Sequence, residues 1–113
     1  MQSEAKHTPG PWKYHTESYR NLIAGPDRLR VADVWTSDRP DTERMANARL
    51  IAAAPDLLVE LQAALDVLKE YREYGEAMRE MGRGFSPTDI YGRSIDSTIL
   101  GLETAIRKAT GNA

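Results

Sequence analysis

Asn47-Ala48-Arg49-Leu50-Ile51-Ala52-Ala53-Ala54-Pro55-Asp56-Leu57-Leu58 divides this chain into two halves of different character. Before it, short aromatic and β-branched runs are punctuated by turn residues, as strands are; after it, apolar residues recur at three- and four-residue spacing, as on helices. Pro55 cannot donate to a continuing helix and restricts Ala54, yet it is well tolerated in the first turn of a new one. The stretch therefore predicts the end of one helix (residues 42–53), a kink or short break, and the start of a longer helix. Ala52, Ala53 and Ala54 permit close backbone approach, as of a helix to a sheet.

Toward the C-terminus, Leu57, Leu58, Leu61, Ala64, Leu65, Leu68, Tyr71 and Met78 form an apolar stripe on a helix reaching about residue 81. Gly82-Arg83-Gly84-Phe85 ends it, and Ser86-Pro87 offers an N-cap and first-turn proline for the next. Tyr91, Ile95, Ile99, Leu102 and Ile106 then share one face, which predicts a helix lying antiparallel to the long one. Gly92 and Gly101 lower its intrinsic helicity, so packing must stabilise it.

Toward the N-terminus, Ser37 to Pro40 break the chain, and Asp41 or Thr42 is placed to cap the first helix. Residues 29–35 alternate imperfectly, as a strand with apolar residues on both faces does. Gly25-Pro26-Asp27 supplies a turn, and residues 12–16 and 22–24 read as two strands separated by polar Glu17 to Asn21. Pro9, Gly10 and Pro11 leave residues 1–11 as an extended arm. The resulting expectation is an α+β fold: a small antiparallel sheet of about three strands packed on a C-terminal helical hairpin with one long helix. It forms a single domain over 1–113, with an arm (1–11), a β-meander (12–36) and a helical region (42–110).

Composition narrows the function classes. A length of 113 residues suits one modest core, and 41% hydrophobic with 28% charged residues is ordinary for a globular protein. The net charge of -2 lacks the basic excess of a sequence-independent DNA binder and the large acidic excess of a DNA mimic, so nucleic acid is not an expected partner. The absence of cysteine removes disulfides, thiolate catalysis and cysteine-ligated zinc. Residues 1–11 lack the apolar core of a secretory signal, and the longest apolar run is far short of a membrane span. A cytosolic chain without membrane association is expected.

No catalytic constellation stands out. His7 and His15 are the two histidines, and their separation is not metal-ligand spacing on a regular element. There is no calcium loop, nucleophile elbow or glycine-rich phosphate loop. The expectation is a non-enzymatic protein without cofactor or metal. Trp12, Tyr14, Tyr19 and Trp35 place half of the eight aromatic residues in the first third, interleaved with Lys13, Arg20, Arg28 and Arg30. That mixture can clamp a nucleotide; the competing structural reading has Trp12 and Trp35 filling the core. For a small anionic ligand the candidate residues are His7, Trp12, Arg28, Arg30, Asn47 and Arg49. Arg49 would supply charge, His7 or Trp12 would close over the ligand, and Arg28 or Arg30 would contact phosphate. Asn47 and Arg49, two apart on a helix, cannot both lie on its core face. Tyr71, Tyr74, Met78 and Met81, with Arg83 and Phe85 beyond, extend past what a small core covers, which predicts a partner-binding surface. The same excess of apolar length predicts a homo-oligomer built through the long helix and its neighbour.

Together with His7-Thr8-Pro9-Gly10-Pro11-Trp12, the stretch at 47–58 resembles a family of small accessory proteins encoded by bacteriophages and prophages. In such proteins the tryptophan begins a small sheet and the alanine-rich segment begins the helices. The resemblance covers residues 7–12 and 47–58, while residues 70–113 carry no motif of it. It implies stoichiometric action in the host bacterial cytoplasm: inhibition of a host immune protein by direct contact. The alternative it implies is a sponge for a cyclic or dinucleotide immune signal, and a small hydrolase of such a signal ranks third.

Overall fold

Consecutive β-compatible runs joined by tight turns produce a meander in the computed structural model, which describes residues 6–35, 38–82 and 94–111. Strands β1 (Lys13–Glu17), β2 (Arg20–Ala24) and β3 (Arg30–Val34) form one antiparallel sheet in the order β1-β2-β3. Glu17 pairs with Arg20, so the first hairpin turn is only Ser18-Tyr19. The expected polar separator is thus shorter than Glu17 to Asn21, and Asn21 is a buried strand residue. Ser18 and Tyr19 have φ of 49° and 67°, the left-handed pair that matches the twist of a two-residue hairpin.

The second connection is built on Gly25. The Gly25 amide donates to the Leu29 carbonyl and the Arg28 amide to the Gly25 carbonyl, both at 3.0 Å. Asp27 Oδ1 accepts from the Leu29 amide at 3.1 Å. On return, Ile23 pairs with Ala32 and Ala24 with Arg30, so Val31 is the extra residue of a bulge.

Helix α1 (Asp41–Ala52) packs on all three strands. Its cap differs from expectation: Pro40 holds the N-cap position without a side-chain hydrogen bond, and Asp41 and Glu43 supply first-turn negative charge instead. Leu22, Ile23 and Ala48 are fully buried. Since neighbours in a strand point to opposite faces, the middle of β2 is covered on both sides. The tryptophans do not fill this core. Trp35 is 65% exposed, with the Arg44 guanidinium 5.9 Å from its ring centroid, because β3 ends at Val34 before it.

The chain divides into two compact units, Met1–Leu57 and Leu58–Ala113. Helix α1 ends at Ala52, and α2 (Ala54–Glu80) begins at once with Pro55 in its first turn, the break expected at that proline. At its far end, the Gly82 amide donates to the Arg79 carbonyl at 2.9 Å, with Gly82 at φ 76°. That left-handed backbone favours glycine and stops the helix.

Within Leu58–Ala113, α3 spans Ile95–Thr110, with Ser94 Oγ accepting from the Ser97 amide and Gly111 in the left-handed C-cap. The expected restart at Ser86-Pro87, with Tyr91 and Gly92, lies outside the described residues. Ile95 and Ile99 are buried, and Leu102 and Ile106 partly so, which is the predicted stripe. On α2, Leu61, Leu65 and Leu68 are partly buried and Gly75 is buried. The Arg72 guanidinium reaches Asp96 at 3.5 Å, linking α2 to α3.

Candidate functional site: a basic sheet end and an exposed helix face

Residues 7–12 form a loop folded on one of its own carbonyls. Trp12 Nε1 donates to the Thr8 carbonyl at 3.0 Å, and His7 Nδ1 lies 2.9 Å from the same oxygen. A carbonyl only accepts, so Nδ1 carries the hydrogen and a neutral His7 keeps Nε2 as an acceptor. The two rings meet edge to face, 6.3 Å between centroids at 87°. Glycines let this loop seat on the sheet and helices: a Cβ on Gly25 would lie 2.9 Å from Thr8 Cγ2, and one on Gly10 would lie 2.9 Å from Pro55 Cβ. The segments at 7–12 and 47–58, distant in sequence, therefore touch at Gly10 and Pro55.

Buried Ala48 sets its neighbours outward, so Asn47 and Arg49 are both exposed. The Arg49 guanidinium lies 5.8 Å from the Tyr14 ring centroid, a cation–π distance. Tyr14 in turn donates its hydroxyl to Asn21 Oδ1 at 2.8 Å. Arg49 is thus anchored to β1 through an aromatic face while its guanidinium remains accessible. Asn21 is not among the sequence candidates, and Tyr14 enters there only as part of the aromatic and basic mixture; the register Tyr14↔Ile23, one step from His15↔Leu22, is what turns Tyr14 toward α1.

The structure separates the cationic candidates. Lys13, Ala24 and Arg30 are in register across the sheet, and Lys13 points away from the face that carries Tyr14 and Arg49. Arg28, at φ 68° and exposed, belongs to the connection that starts at Gly25, the residue Thr8 covers. One end of the sheet therefore gathers His7, Trp12, Lys13, Arg28 and Arg30, while Arg49 occupies the other face and Asn47 its own exposed position on α1. Among the described residues, no three His, Asp or Glu side chains converge as a metal site would require.

The second candidate surface runs along α2 to the turn residue just after it. Val67 (64% exposed), Tyr71, Tyr74, Met78 and Met81 (70% exposed) follow one another at alternating four- and three-residue steps; Tyr71 and Tyr74 are also exposed and Met78 partly so. This is the spacing of a helix seam that meets another helix. Val67 belongs to the row although it was not among the candidates; counting back four from Tyr71 locates it. Arg83 and Phe85 lie outside the described residues. Asp66, Glu70, Glu73 and Glu80 run beside the row, within a helix holding seven acidic and three basic residues.

A family model described as Salmonella phage P22 protein Y8K6 matches the chain over residues 1–113, and the chain belongs to that family. The match takes in residues 70–113, where no family motif was legible. No curated protein and no solved structure matches the chain significantly. Among the described residues, no helix is long and apolar enough to cross a membrane.

Proposed function

We propose that this member of the Salmonella phage P22 protein Y8K6 family acts in the host cytoplasm by stoichiometric binding, without turnover, and blocks a component of a bacterial antiphage immune system by direct contact. The observation that carries the reading is the seam Val67, Tyr71, Tyr74 and the partly exposed Met78 on α2, continued by Met81 just past its end, with acidic residues alongside. An apolar row at helix–helix spacing fits an apolar groove, and the acids favour a groove with a basic rim. The test is a plating assay in a host carrying a defence system. Wild-type chain raises the plating efficiency of a sensitive phage and copurifies with one defence component; a Val67→Glu, Met81→Glu double variant, still helical by circular dichroism, does neither. A double variant that protects phage as well as wild type overturns the reading.

A second reading rests on the basic sheet end, where the His7–Trp12 ring pair lies with Lys13, Arg28 and Arg30. Aromatic faces beside cations suit a cyclic or dinucleotide signal. Incubation with such nucleotides followed by denaturation separates the cases: release of intact ligand indicates sequestration, altered ligand indicates hydrolysis, and no capture leaves the protein partner.

A further inference from the structure

Apart from Lys108, the outward side of α3 lacks the charged residues a solvent face usually carries. Ser97, Leu100, Gly101, Thr104, Ala105 and Lys108 line a shallow open groove of about 510 Å³ along it. Ile95, Ile99, Leu102 and Ile106 occupy the opposite, inward side. Three observations at the groove point the same way. Leu100 stands 61% exposed. Gly101 sits in the helix interior, where glycine is the poorest former short of proline, and nothing lies within 4 Å of the Cβ it lacks. Among the described residues, then, no close contact accounts for the glycine. The helix ends also carry opposite charge, with Asp96 in the first turn and Arg107 and Lys108 in the last.

We infer that this face of α3 packs against the same face of a second copy of the chain, with the two helices antiparallel about a twofold axis near residues 102 and 103. That arrangement sets Leu100 of each copy against Ala105 of the other, a large side chain into a small one. It sets Gly101 against Thr104, allowing close approach of the backbones, and Ser97 against Lys108. The basic last turn of each helix then meets the acidic first turn of the other, and the two helix dipoles run antiparallel. A parallel pairing is disfavoured because it sets Lys108 on Lys108. The inference is independent of which host molecule the chain binds, since it uses neither the α2 seam nor the sheet end.

The full-length chain tests it. Light scattering at about 50 µM should give twice the 12.6 kDa chain mass. Gly101→Leu puts a large side chain into the groove at a position whose Cβ meets open space, and should reduce the mass to 12.6 kDa while leaving the helical circular dichroism intact. Orientation is read by disulfide trapping, which is clean because the chain has no cysteine. A mixture of Ser97→Cys and Lys108→Cys chains should cross-link as the mixed dimer. Ser97→Cys alone should not, because its two sulfurs would stand roughly 16 Å apart along the axis, beyond disulfide reach. A wild-type mass of 12.6 kDa overturns the inference, as does a dimer that survives Gly101→Leu or one that cross-links through Ser97 alone.

Discussion

Gly10 and Gly25 stand where a methyl group has no room, Gly10 against Pro55 and Gly25 against Thr8. Gly10→Ala should therefore destabilise the fold by about 1–3 kcal/mol, the usual range for overpacking, measured as a lower urea midpoint at unchanged m-value. Gly101→Ala is the contrast: with open space around it in the single chain, the same methyl should raise the stability of the unpaired chain by up to about 1 kcal/mol, measured at a concentration below that at which it pairs. Arg49→Ala removes a cation–π contact to Tyr14 at an exposed site, so it should lower stability by no more than about 1 kcal/mol. If the sheet end captures a nucleotide signal and Arg49 takes part, that variant loses capture at nearly unchanged Tm. Capture that persists makes Arg49 a tie between α1 and β1 only. At this scale the exposure of Asn47 and Arg49 was half legible, since helical spacing allows at most one of them inward. That both point out follows from Ala48 being the residue small enough to sit against the sheet.

Among the elements, the β1–β2 hairpin carries the clearest local strain. Ser18 and Tyr19 both take left-handed backbone, which disfavours side chains with a Cβ by roughly 1–2 kcal/mol per residue. Tyr19 is 99% exposed, so its side chain contributes little packing in return. Replacing Ser18-Tyr19 by Asn-Gly should raise Tm by several degrees, on the scale of about 4–8 °C per kcal/mol for a domain near this size. An unchanged or lowered Tm would show that the tip is held by contacts other than its own backbone. The helix boundaries were legible because proline and glycine act locally: Pro55 starts α2 and Gly82 stops it. The α1 cap was not, because Pro40 supplies the N-cap geometry through its fixed φ without any side-chain bond.

For the molecule as a whole, the fully or nearly buried apolar residues among those described are few: Leu22, Ile23, Ala48, Ile95 and Ile99. Ile23→Ala in the first unit or Ile99→Ala in the second should each cost about 2–5 kcal/mol, a large share of the about 5–15 kcal/mol typical of a folded domain. The ion pairs Arg20–Asp33, Arg39–Glu43 and Arg72–Asp96 all have solvent-accessible side chains. Raising salt from about 0.05 M to about 0.5 M should therefore move Tm by only a few degrees. The sequence by itself determined the α+β class, the three-strand meander, the helix break at Pro55 and the inward stripe of α3. Periodicity and the backbone limits of proline and glycine act over a few residues, and a local pattern is enough to read them. Only the tertiary structure decided that Trp35 lies outside the core, that Gly10 meets Pro55, and that Arg30 and Arg49 occupy opposite faces of the sheet. Those outcomes depend on strand register and on which distant side chains fill the same space, and neither quantity is written in any one stretch of the chain.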